Sequence, residues 1–147
     1  MARIPATRKE LKDSFKQHYL VYQKICENNI HTPLTRRLIL FYSVECGLKY
    51  YLLDKIIKKN TTQDLENHRE YNNPDGHDIR NLIKFARLGD HANFQLNSYN
   101  SQKTRRRIEP KELHQIWRYG IEIDDSDYEN KSEKTLQNVA VWLKERI

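Results

Sequence analysis

An all-α fold, an up-and-down bundle of four to five helices, is predicted by three features of the sequence. Apolar residues recur at three- and four-residue steps, the spacing of one helix face. Only four Gly and four Pro punctuate 147 residues, and the period-two alternation of a sandwich or barrel is missing. Hydrophobic residues make up 37% of the chain and charged residues 31%, so the core has to be assembled from narrow stripes, which helices supply. The length suits one domain with one modest core. That domain is residues 1–147, with an N-terminal helix and loop in 1–33 and the bundle core in 34–147.

Residues 7 to 27 place Leu11, Phe15, Tyr19, Tyr22 and Cys26 on one face, which predicts the first helix. A break at Asn28 to Pro33 precedes residues 34 to 59, where Leu38, Phe41, Tyr42, Glu45, Leu48, Leu52 and Ile56 form one stripe, widened by Ile39, Cys46, Leu53 and Ile57. So wide a stripe predicts the central, most buried helix. Residues 60 to 76 are polar and read as a loop with at most one helical turn. A third helix is expected from Asp78, its N-cap, to Gly89, burying Ile79, Leu82, Ile83 and Ala86. Residues 93 to 107 read as an irregular, exposed basic loop. Pro110 fits the first turn of a fourth helix that carries Leu113, Ile116 and Trp117 and ends near Gly120. An acidic loop then leads to a last helix from Ser132, with Leu136, Val139, Ala140, Leu143 and Ile147 inward and Trp142 at the edge.

The net charge of +6 is uneven: 12 Lys and Arg face 5 Asp and Glu in residues 1 to 60, against 14 and 15 in the remainder. In the second half Lys103, Arg105, Arg106, Arg107, Lys111 and Arg118 precede Glu122, Asp124, Asp125, Asp127 and Glu129. A basic patch is what a polyanion would seek; a solvated, salt-bridged surface is the plain alternative. No Gly-rich phosphate loop, nucleophile elbow or Cys/His nucleophile pattern is present, and the six His lack ligand spacing, so neither a metal nor a cofactor is expected. Cys26 and Cys46 read as small buried hydrophobes. With no signal-peptide core and no stretch near the roughly 18 apolar residues of a membrane span, a cytoplasmic protein is the expectation.

Glu45 sits among Leu38, Tyr42, Leu48 and Leu52, where an unpaired carboxylate would cost several kcal/mol. It therefore needs a partner, and His77 at the start of the third helix is a candidate for a structural polar pin. Gly47 costs about 1 kcal/mol relative to Ala inside a helix, which points to close approach of another backbone. Lys49 is expected to snorkel from the flank.

The run Phe-Tyr-Ser-Val-Glu-Cys-Gly-Leu-Lys-Tyr-Tyr-Leu-Leu at 41 to 53, followed by Gly76-His77-Asp78-Ile79-Arg80-Asn81-Leu82, resembles the HEPN domain family of nucleotide-binding helical domains. The segment Trp117-Arg118-Tyr119 and a final Trp-containing helix are compatible, and the resemblance spans roughly residues 35 to 147. It implies a HEPN-like bundle, a homodimer, and one of two roles, in a prokaryotic defence or toxin-antitoxin setting. One role is a metal-independent ribonuclease, in which an Arg stabilises phosphate charge and a His separated from it by four to six intervening residues moves protons. Arg107 and His114 have that spacing, although Ile108 replaces the usual polar residue and Glu109 and Pro110 intervene. A surface or hydrogen-bonded helix histidine is the plain alternative for His114. The other role, which ranks first on sequence, is a non-catalytic subunit that binds nucleic acid, RNA before DNA, or a partner protein. Its candidate contacts are Arg36, Arg37, Lys58, Lys59, Lys103, Arg105, Arg106 and Arg107, with Tyr99 as a stacking face.

Overall fold

The structure, a computed structural model, describes residues 4–71 and 76–147; the part of the expected polar loop at residues 72–75 lies outside the described residues. It is mostly helical, with one small two-stranded sheet. Helix α1 (Arg8–Glu27) opens with a reciprocal cap: Thr7 Oγ1 accepts from the Glu10 amide at 3.2 Å, and Glu10 Oε1 accepts from the Thr7 amide at 3.0 Å. Leu11, Phe15, Tyr19 and Tyr22 are buried as the period requires, whereas Cys26 is exposed, a correction to the expectation, because the last turn of α1 extends past the core.

Helix α2 (Pro33–Tyr51) runs on through a π-helical turn at Leu52–Ile56. Its fully buried residues include Leu40, Val44, Leu48, Leu52 and Leu53, while Leu38, Ile39, Tyr42 and Cys46 are only partly covered. The buried surface keeps Phe41, Glu45, Leu48 and Leu52 of the predicted stripe and widens to Leu40 and Val44, because α1 and two later helices, α5 (Leu113–Tyr119) and α6 (Ser126–Lys144), enclose α2 from several sides. Gly47 marks the tightest point. A Cβ there would lie 2.8 Å from both Leu143 Cδ1 and Phe15 Cδ1, so the close approach is by side chains of α6 and α1 rather than by a neighbouring backbone. Ser43 Oγ donates to the Phe15 carbonyl at 3.1 Å and ties α2 to α1 nearby.

Helix α3 (Thr62–Glu66) is the one turn found in the polar segment, and α4 (Ile79–Phe85) starts at the Asp78 cap but stops short of Gly89. The predicted irregular loop is replaced by order: a turn at Ala92–Phe94, then the antiparallel strands β1 (Tyr99–Ser101) and β2 (Arg106–Ile108), paired Tyr99 to Ile108, Asn100 to Arg107 and Ser101 to Arg106. Phe94, Leu96 and Ile108 are buried and anchor it. Asp124 accepts from Ser101 Oγ at 2.9 Å and from the Gln102 amide at 3.2 Å, supplying partners that the local sequence lacks.

Helix α5 (Leu113–Tyr119) follows the turn Pro110–Glu112 and ends at Gly120, whose φ of 65° suits a residue without Cβ. Helix α6 (Ser126–Lys144) begins six residues before the expected Ser132, capped by Asp125, so Asp127 and Glu129 belong to its first turn and not to a loop. Their negative charge favours that end of the helix dipole. Leu136, Val139, Ala140 and Leu143 complete the core.

Candidate active site

Three residues far apart in sequence meet where α2, the start of α4 and α5 converge. Glu45 Oε1 lies 2.7 Å from His77 Nδ1, and Lys49 Nζ lies 3.1 Å from Glu45 Oε2. The His77 ring stands 4.4 Å, centroid to centroid, from that of His114. Each element has a local reason to deliver its residue. Glu45 and Lys49 are four apart on one helix face, and the cap at Asp78 fixes the chain next to His77. The turn at Pro110–Glu112 leads into α5, whose second residue is His114.

The two imidazoles are held differently. His114 is buried, 7% exposed, and packs on Phe41 and Tyr42. Its Nδ1 is 2.7 Å from the Lys111 carbonyl, which can only accept, so Nδ1 carries hydrogen and Nε2 holds the lone pair of the neutral ring. Burial first, and the neighbouring His77 second, lower its pKa and keep it neutral. The His77 side chain is 43% exposed. Glu45 orients it, since a carboxylate accepts from Nδ1–H. Burial alone would raise the Glu45 pKa; the His77 hydrogen bond and Lys49 outweigh it and hold the carboxyl below its usual range.

Arg118, exposed on α5, completes the group. It donates to the Tyr42 hydroxyl, and its guanidinium lies 5.8 Å from the centre of the Tyr42 ring, which itself adjoins both histidines. Its pKa is raised by the tyrosine hydroxyls of Tyr42 and then Tyr119. No carboxylate forms an ion pair with it among the described residues.

The sequence-predicted sites fare otherwise. Arg107 and His114 are separated in role: Arg107 is exposed on β2 with its Nε 2.8 Å from Glu109, while His114 faces the core rings. Arg36 and Arg37 are not a cationic surface. Both bind Glu133, with Arg36 Nε at 2.7 Å and Arg37 Nε at 2.8 Å, and Tyr22 OH donates to the same carboxylate at 2.7 Å. Burial pushes Glu133 up, and Arg36, Arg37 and Tyr22 more than offset it. Tyr99 is no open stacking face, because its ring stacks on Tyr128 at 5.0 Å. Lys103 pairs with Glu122 and Arg106 with Glu112. Arg105, Lys58 and Lys59 remain exposed and form no ion pair among the described residues.

Arg118, Tyr42 and Lys49 were not among the predicted site residues. The available signals were the three- and four-residue spacings of Tyr42, Glu45 and Lys49; nothing local links Arg118 to them. Among the described residues, no group of three or more His, Cys, Asp or Glu is placed to hold a metal ion, and no helix is long and apolar enough to cross a membrane. No protein-family model matches this chain, and no curated protein or solved structure is significantly similar to it.

Proposed function

We propose that this chain is a HEPN-like bundle that cleaves RNA without a metal, at the site formed by Glu45, His77, His114 and Arg118. The observation that carries the reading is His77 Nδ1 at 2.7 Å from the Glu45 carboxylate, with a second imidazole against its ring and, held by Tyr42, a guanidinium that has no carboxylate partner among the described residues. A carboxylate that orients a part-exposed histidine is the arrangement general-base catalysis uses. His77 takes the proton of a ribose 2′-hydroxyl as that oxygen attacks phosphorus. The 2′,3′-cyclic phosphate forms, the bond to the 5′ oxygen breaks, and the proton passes to that leaving oxygen. Arg118 faces the charge on the phosphate. His114, kept neutral, packs against the His77 ring and brings no charge of its own. A homodimer in the cytoplasm, in a prokaryotic defence setting, is the context the family resemblance supplies and forms part of the proposal.

A second reading, non-catalytic binding of nucleic acid or a partner protein, is favoured by Arg105, Lys58 and Lys59, which are exposed and form no ion pair among the described residues. Incubation of the protein with tRNA and single-stranded RNA in EDTA separates the two. Cleavage that is lost in folded His77→Ala and reduced in Glu45→Gln supports the catalytic site. RNA binding with no cleavage overturns it in favour of the second reading.

A further inference from the structure

Tyr119, the last residue of α5, is 66% exposed although it is a large aromatic side chain. The chain turns sharply beneath it at Gly120, φ 65°, and the turn brings Leu34 close: a Cβ on Gly120 would lie 3.4 Å from Leu34 Cδ1. Leu34 and Ile121 are themselves 40% and 41% exposed, so an aromatic ring with an aliphatic margin faces solvent here. Arg118 stands between Tyr119 and the histidine site. Its guanidinium carbon is 6.0 Å from the Tyr119 ring centre and 5.8 Å from that of Tyr42, and both hydroxyls interact with it. The hairpin cations Lys103, Arg106 and Arg107 are each neutralised by a glutamate, whereas Arg118 is positioned by tyrosines and has no carboxylate partner among the described residues.

We propose that Tyr119 and Arg118 form a subsite for one unpaired nucleobase and its phosphate, which selects single-stranded over duplex RNA. The proposal rests on the RNA reading of the neighbouring histidines. An exposed aromatic face accepts any base by stacking, and an adjacent fixed cation matches the backbone charge. A paired base has both faces covered by its neighbours and cannot reach the ring. Charge complementarity with a polyanion also favours this occupant over a second copy of a chain whose net charge is +6.

The test is fluorescence anisotropy with a labelled 2′-O-methyl RNA strand, which cannot be cleaved, offered alone and as a duplex with its complement. Tyr119→Ala is expected to weaken single-strand binding by about tenfold, within the range that removal of one stacking ring produces, while Tyr119→Phe stays within about twofold of wild type. Neither changes duplex binding. An unchanged single-strand affinity in Tyr119→Ala, equal weakening for both probes, or no binding of the single strand by wild type overturns the proposal. So does loss of a dimer in sedimentation of Tyr119→Ala, which assigns the patch to a second copy. Because the probe lacks the attacking hydroxyl, binding through Tyr119 by a protein that never cleaves RNA refutes the catalytic reading alone.

Discussion

Replacing Glu133 by Ala removes the carboxylate that joins three helices, and the size of the loss follows from what is stranded. Glu133 is 9% exposed at its side chain and receives Arg36, Arg37 and Tyr22. Breaking a buried ion pair from one side costs about 3–5 kcal/mol, because the remaining charge stays buried without compensation. Arg36 is 23% exposed and can turn toward water, and Arg37 keeps Asn130 at 2.6 Å and Glu129 at 3.8 Å. The expected loss is therefore at the lower end, about 3 kcal/mol. Urea unfolding at pH 7, followed by the fluorescence of Trp117 and Trp142, measures it. The triple replacement of Arg36, Arg37 and Glu133 by Met is expected to recover most of the loss, since the carboxylate and both guanidiniums go together and Glu129, which loses Arg37, keeps the Trp117 indole N–H at 3.0 Å. A Glu133→Ala loss below about 1 kcal/mol would show that these groups are solvated and that Arg36 and Arg37 are free for a ligand after all.

Gly47→Ala brings a methyl group within 2.8 Å of Phe15 and Leu143. Overpacking costs about 1–3 kcal/mol against about 1 kcal/mol gained in helix propensity, so a net loss of up to about 2 kcal/mol is expected in the same unfolding assay; a gain in stability would show that the two side chains yield. Glu45→Gln is expected to lower the turnover number for RNA more than it raises KM, because the change alters how His77 is held and not what grips the phosphate; a pure KM effect refutes that assignment. His114 contributes a pH dependence of defined sign. Its folded pKa is depressed, so its contribution is complete above the unfolded value, about 6.5, and is lost as pH falls below it, where only the unfolded chain gains the proton. His114→Phe should flatten that part of the stability profile, and an unchanged slope would show that the ring is solvated. Glu133 adds a second acid limb, since its depressed pKa gives stability present above the unfolded carboxyl value and lost as pH falls through the folded one.

Helical class, the N-terminal face of α1, the Asp78 cap and the need of Glu45 for a partner were all legible in the sequence, because each depends on residues within one or two turns of each other. Capping, amphipathic spacing and the cost of a buried charge act locally. The start of α6 was misjudged by the same local reasoning, where five acidic residues in a short stretch read as a loop although acidic residues also favour a first helical turn. The hairpin at Tyr99–Ser101 and Arg106–Ile108 escaped because three-residue strands are too short to show alternation, and Asp124, outside the hairpin, holds its turn. Charge was the least readable property. Arg36 and Arg37 look alike to Arg105 in sequence, yet Glu133, almost a hundred residues away, neutralises the first two. Only the packing of α5 against α2 decided that His114 meets His77 and Glu45 rather than Arg107, since ionic and imidazole contacts reach a few ångströms and sequence spacing carries no information about which distant helix supplies the partner.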